Sequence, residues 1–191
     1  MAAQPNATMS VEDYLEFERA SETKHEYYGG EVLAMAGASF VHNLIAMNTG
    51  ASLHAQLRGK PCRVLPSDLR LFVQAANLFT YPDLTVVCGQ PRFGPSAPDT
   101  LLNPKVIIEV LSPSTESRDR GRKFQHYRTI ASLDEYVLIT QETPRIEHFV
   151  RQANDLWLFS EAVGLDATLA LPTIDCSLAL ADVYQEIALP E

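Results

Sequence analysis

The sequence predicts an α/β (α+β) domain. Its core is a central mixed β-sheet flanked by helices, with a helix and hairpin added at the N-terminus and a hairpin at the C-terminus. Three observations carry this prediction. Runs rich in β-branched residues, such as "KVIIEVLS" at 105–112, read as buried strands fenced by proline. Helical and strand patterns follow one another as helix, three strands, helix, strand, the order of a layered α/β or α+β domain. A chain of 191 residues with 46% hydrophobic residues is long enough to bury one core.

Residues 1–9 read as a loose tail ahead of a single domain over 10–191. Ser10 caps a first helix, with Asp13 in the capping-box position and Val11, Tyr14, Leu15 and Phe17 near one face. In "HEYYGGEVLAMAG", Gly29-Gly30 marks a tight hairpin turn. A longer helix is expected from Ser39 to Arg58, with Leu44, Met47, Ala51 and Ala55 as its apolar stripe and Gly59 and Pro61 ending it. Three strands follow: 62–73 with a proline bend, 78–88, and 105–112. Between the last two, "GQPRFGPSAP" reads as a surface loop. A polar helix spans about 115–130, then strands at 135–140, 145–150 and 156–162, the first two of these joined by a turn at Pro144. A short helix near 179–187 ends the chain.

Composition excludes several classes. No apolar run reaches the roughly 18 residues of a membrane span. "MAAQPNATMS" has neither basic nor apolar signal-peptide regions, so the expectation is a cytoplasmic protein without a membrane partner. Cys62, Cys88 and Cys176 show no CxxC spacing and no disulfide framework, and read as small buried hydrophobes. The net charge of −9 argues against strong non-specific nucleic-acid binding, though not against a local basic cleft.

One residue resists the strand reading. Glu109 stands within "KVIIEVLS", and a buried carboxylate needs a partner. Alternation puts Glu109 on one face with Ile107 and Leu111, opposite Val106, Ile108 and Val110. In "YPDLTVVC", Asp83 shares its face with Thr85 and Val87. If the two strands are neighbours, both acids converge, and two carboxylates that close stay ionised only around positive charge. Mg²⁺ suits such a site. The plainer readings are a turn aspartate after Pro82 and a solvated or salt-bridged Glu109. On the polar helix, Asp119 and Lys123 have the i, i+4 spacing of an ordinary stabilising pair. The alternative is that Lys123 reaches the acids and orients or deprotonates a water, or stabilises charge on a phosphate.

These residues resemble the PD-(D/E)XK nuclease superfamily. "SFVHN", "PCRVLPSDLRL", "YPDLTVVC", "IIEVLSPST", "DRGRKFQHY" and "EYVLI" together resemble its Uma-type restriction endonuclease family over about 24–184. The resemblance implies a restriction-endonuclease-like core and metal-dependent hydrolysis of nucleic acid, with DNA as the expected substrate. It implies Mg²⁺ or Mn²⁺ held by Asp83, Glu109 and the Val110 carbonyl, with Lys123 catalytic. Where the superfamily pattern has a lysine two residues after the acid, this chain has Leu111, and Lys123 matches a lysine moved to the next helix. His42, Asp68 and Tyr127 are candidate accessory residues, and Glu31 a weaker one. His42 also reads as a helix-start histidine bonded to a loop, and Tyr127 as a core or rim tyrosine. His25, His54, His126 and His148 show no metal-ligand pattern. Family analogy points to a homodimer. A non-cleaving metal- or protein-binding module, or a structural component of a larger defence or mobile-element system, remains the alternative. The seven basic residues between 118 and 151 separate these readings: a cleft above the acids favours cutting, pairing with acids favours a module.

Overall fold

In the computed structural model, residues 8–94, 97–113 and 115–189 are described. Helix α1 (Val11–Ala20) starts at Ser10, whose Oγ accepts the Asp13 amide at 3.1 Å and donates to the Asp13 carboxylate. Such a cap stabilises a helix by about 1 kcal/mol. Tyr14 and Leu15 are buried, whereas Phe17 stays exposed. Strands β1 (His25–Tyr28) and β2 (Glu31–Ala34) pair with Tyr28 opposite Glu31, leaving Gly29-Gly30 as a two-residue turn. Both glycines have positive φ, and a Cβ at Gly30 would come within 2.6 Å of the Thr8 side chain. Of the expected tail, residues 1–7 lie outside the described residues. Met9 is tied to the hairpin through its amide to Gly30 and its carbonyl to the Tyr27 hydroxyl.

The strands expected at 62–73 and 78–88 each break at a proline. The first becomes β3 (Cys62–Pro66) and β4 (Arg70–Val73), the second β5 (Leu78–Thr80) and β6 (Leu84–Cys88). Strands β7 (Phe93–Gly94) and β8 (Ala97–Leu101) form a hairpin from the stretch expected to be a surface loop. Its poor apolar alternation hid it, because it lies at a sheet edge where backbone pairing suffices. Then come β9 (Val106–Val110), β10 (Glu135–Ile139), β11 (Arg145–Arg151) and β12 (Trp157–Val163).

The architecture is mixed α+β, as expected, but the strands divide between two sheets rather than one. The first has the order β12-β11-β10-β9-β6-β3, with β9 and β10 parallel and the other neighbours antiparallel. The second has the order β2-β1-β5-β4-β8-β7, with only β4 and β8 parallel. The proline breaks cause the division, because each hands the chain from one sheet to the other. Pro66 sits on edge strand β3, where no ladder donor is lost.

The central strands of the first sheet are buried on both faces, which is why β9 and β10 read as continuous apolar runs. On one face Val106, Ile108 and Val110 pack with helix α2 (Phe40–Gln56) and with a hairpin of β13 (Thr168–Leu171) and β14 (Cys176–Ala179). On the other, Ile107 and Leu111 pack with Tyr127, Tyr136 and residues of the second sheet. Helix α2 buries Ile45, Thr49 and Leu53, while Met47, Ala51 and Ala55 of the expected stripe are exposed. The two stripes are equally regular; contact with the sheet selects the one that contains a threonine, which hydropathy undervalues.

The polar helix, α3, runs through Glu116–Arg118, Asp119–Lys123 and Phe124–Tyr127, and its middle segment is a wide π turn. The expected C-terminal helix is the single turn α4 (Leu180–Val183). Cys62 and Cys88 are joined by a disulfide, which corrects the reading of both as free thiols. Antiparallel β3 and β6 place them directly opposite, 3.9 Å apart at Cα, a register invisible in their spacing. Disulfides are rare in reducing compartments, so the bond lends no weight to the cytoplasmic expectation. Cys176 is free and buried.

Candidate active site

Antiparallel pairing of β6 with β9 sets Leu84 opposite Ile108 and Thr85 opposite Ile107. One step further along this ladder, Asp83 meets Glu109. The Asp83 amide donates to Glu109 Oε2 at 3.4 Å, and the Val110 amide donates to Asp83 Oδ2 at 2.7 Å. Pro82 ends the ladder just before Asp83, so this acid leaves the strand at the crossing between sheets. Glu109 is only 3% exposed.

Helix α3 covers Glu109 from the opposite side. Lys123 Nζ lies 3.1 Å from Glu109 Oε1, and the Tyr127 hydroxyl donates to the same oxygen at 2.9 Å. The i, i+4 pair with Asp119 also forms, at 3.2 Å, without hydrogen-bond alignment at Asp119 Oδ1. The local pair and the contact with the acids thus coexist. The π turn spans both Asp119 and Lys123, the kind of helix widening often found at functional sites.

Two residues joined here escaped the sequence reading. Glu26 of β1 approaches Lys123 at 3.5 Å, accepts from Thr80 and pairs with Arg118. Asp119, read only as a helix partner, is buried beside it. The available signal was weak: an acid inside the short strand "HEYY", which buries Glu26 and Tyr27 together.

His42 stands on the Asp83 side, its Nε2 3.2 Å from Asp83 Oδ2. Ser39 caps α2 by accepting the His42 amide, and donates to Gln141, which in turn donates to the Leu111 carbonyl. The helix start is thereby fixed over the end of β9. Asp68 is elsewhere: it is exposed in the turn after β3 and pairs with Lys24. Glu31 is exposed on the hairpin. Leu111 fills the core in place of a strand lysine.

The electrostatics follow from an excess of acid. Among the described residues, buried Glu26, Glu109 and Asp119 and half-buried Asp83 meet Lys123 and Arg118 as permanent cations. Burial pushes Glu109 up to about 8; Lys123 pulls against this, while Asp119 and Asp83 add to it. Burial works to lower the Lys123 ammonium, but Glu109 and then Asp119 outweigh it, and the group is raised. His42 is likewise raised: burial lowers it, and Asp83, with the Val110 carbonyl and Asp119, together outweigh burial. Tyr127 is driven well up by burial and then by Glu109, so its hydroxyl remains a donor.

The donor set suits a hard divalent cation: two carboxylates from adjacent strands beside a main-chain carbonyl, in a pocket short of positive charge. Among the described residues no three His, Cys, Asp or Glu side chains gather as a metal cluster. An ion there would complete its coordination with the carbonyl and water.

Five of the seven basic residues of 118–151 are paired with acids. Arg118 pairs with Glu26, Arg120 with Glu116 and Glu147, Lys123 with Glu109, Arg145 with Glu161, and Arg151 with Asp155.

A mixed sheet carries a Pro-Asp beside a strand glutamate, with a helix lysine on that glutamate, and the fold is the nuclease-type one that the sequence motifs resemble. Residues 11–181 match the Uma2 family, described as "Putative restriction endonuclease", and the chain belongs to that family. Two uncharacterized proteins of Synechocystis are similar: one is 34% identical over 161 residues (84% of this chain, 91% of the relative) and one 33% identical over 184 (96% and 95%). The fold is shared with the crystal structure of a putative nuclease of DUF820 from Anabaena variabilis. The TM-score is 0.76 at 16% identity, covering 94% of this chain and 99% of that one.

Proposed function

We propose that this protein is a divalent-metal-dependent endonuclease that hydrolyses phosphodiester bonds of nucleic acid, with DNA as the substrate. The observation that carries the proposal is the adjoining pair of half-buried Asp83 and buried Glu109, with Lys123 3.1 Å from Glu109. The family and the fold point the same way.

Asp83, Glu109 and the Val110 carbonyl are the groups that would hold Mg²⁺ or Mn²⁺. When bound, such an ion lowers the pKa of a water and offsets charge on the phosphate. Lys123, kept as an ammonium by the surrounding acids, acts as a fixed cation that orients the reacting groups and stabilises developing charge rather than as a base. Tyr127 and Glu26 hold the lysine–glutamate pair in place. His42 stands on the other flank, 3.2 Å from Asp83, whose hydrogen bond and charge raise it against burial, and it is placed to protonate a departing oxygen.

A second reading is a non-cleaving module on the same fold. Pairing of five of the seven basic residues with acids favours it, as does the net charge of −9.

The test is cleavage of single- and double-stranded DNA and RNA with and without Mg²⁺ or Mn²⁺, comparing wild type, Glu109→Gln and Lys123→Ala. Metal-dependent cutting lost in both variants is the expected result. No cutting on any substrate while the wild type still binds metal would replace the nuclease reading with the module.

A further inference from the structure

We infer that a small cavity behind Lys123, between the β1–β2 hairpin and helix α3, is a subsite for a phosphate group. The cavity has a volume of about 50 Å³. That is room for on the order of four waters, the scale of one phosphate.

Its wall carries Arg118, Arg122 and His126, spaced four residues apart along α3, with Lys123 at the back. Arg118 is committed to Glu26. Arg122 differs from most of its basic neighbours: among the described residues it has no carboxylate partner. Its guanidinium stacks on the Tyr28 ring at 4.8 Å, and the same ring lies 5.2 Å from His126. A guanidinium held over a ring keeps its N–H donors for other partners, and arginine grips a phosphate with two parallel hydrogen bonds.

The His126 ring also lines the cavity, and its Nε2 makes no hydrogen bond among the described residues, so the ring reports on what enters beside it. Glu31 is the carboxylate in the wall; Arg118 and Lys123 are already paired with Glu26 and Glu109, so Arg122 is the cation left for a ligand. Lys123 joins this cavity to the acid pair, so a phosphate held here sits one side chain from Glu109. Assigning that phosphate to a nucleic-acid strand rests on the nuclease reading; the subsite itself does not.

The test is titration of the full-length, metal-free chain with inorganic phosphate in EDTA, following the His126 ring by NMR. The signal is assigned with His126→Gln. A saturable shift of His126 is expected, weakened about tenfold or more in Arg122→Gln and retained in Asp83→Asn. An unmoved His126, or equal affinity in Arg122→Gln, would overturn the subsite. Comparing 5′-phosphorylated with 5′-hydroxyl single strands separates the sources. Tighter binding of the phosphorylated strand, again through Arg122, supports a strand phosphate. A response to inorganic phosphate alone supports a site for free phosphate. Because no metal is present, loss of nuclease activity and loss of this site are read separately.

Discussion

Replacing Glu109 with glutamine in the metal-free protein should change how stability depends on pH. Glu109 is 3% exposed, and burial raises its carboxyl from 4.5 to about 8. Between those values the folded protein keeps a proton on Glu109 that the unfolded chain has released. Wild-type stability therefore falls as pH rises through this window, by about 1.4 kcal/mol per pH unit from this group alone. Over the whole window the loss amounts to about 5 kcal/mol. Glutamine does not titrate, so Glu109→Gln lacks this slope. Over most of this window wild-type Glu109 is itself uncharged, so glutamine removes a charge partner of Lys123 only where Glu109 ionises, near the upper end. Urea unfolding in EDTA from about pH 5 to 8 should show the variant gaining steadily on wild type. A stability difference that stays flat across the window would refute a buried, proton-holding Glu109. Mg²⁺ added at the upper end should restore wild type and leave the variant unmoved, because a bound cation displaces that proton.

Two further predictions concern residues outside the acid pair. Asp68→Asn should leave cleavage unchanged and shift unfolding by less than about 1 kcal/mol, because its partner Lys24 meets it on the exposed surface. A large loss of cleavage in that variant would return Asp68 to the site. Cys62→Ser opens the disulfide across a separation of 26 residues and should destabilise by about 3 kcal/mol on chain-entropy grounds. Thiol reductant applied to wild type should lower the urea midpoint by the same amount, and equal midpoints would show that the bond contributes nothing.

The elements legible beforehand were those with strong local chemistry. The Ser10 cap, the Gly29-Gly30 turn and the apolar run of β9 each arise from residues close in sequence, and each formed where expected. The face of Glu109 was also legible, because side chains alternate strictly along a strand: Val106, Ile108 and Val110 entered one core, Ile107 and Leu111 the other. Lys123 and Tyr127 were placed against Glu109 by motif resemblance, and their contacts follow from one helix crossing that face.

Local and periodic features were therefore readable in advance: caps, turns and strand faces, including the face that carries Glu109, whereas its meeting with Asp83 required β6 and β9 to be neighbours. The tertiary structure decided everything that depends on which distant segments meet. It sent the halves of 62–73 and 78–88 into two sheets and set Cys62 opposite Cys88. It chose Ile45, Thr49 and Leu53 as the buried face of α2, and it carried Glu26 into the acid cluster while leaving Asp68 in solvent. Local patterns encode these outcomes only weakly, because each is fixed by burial and charge balance between residues far apart in the chain.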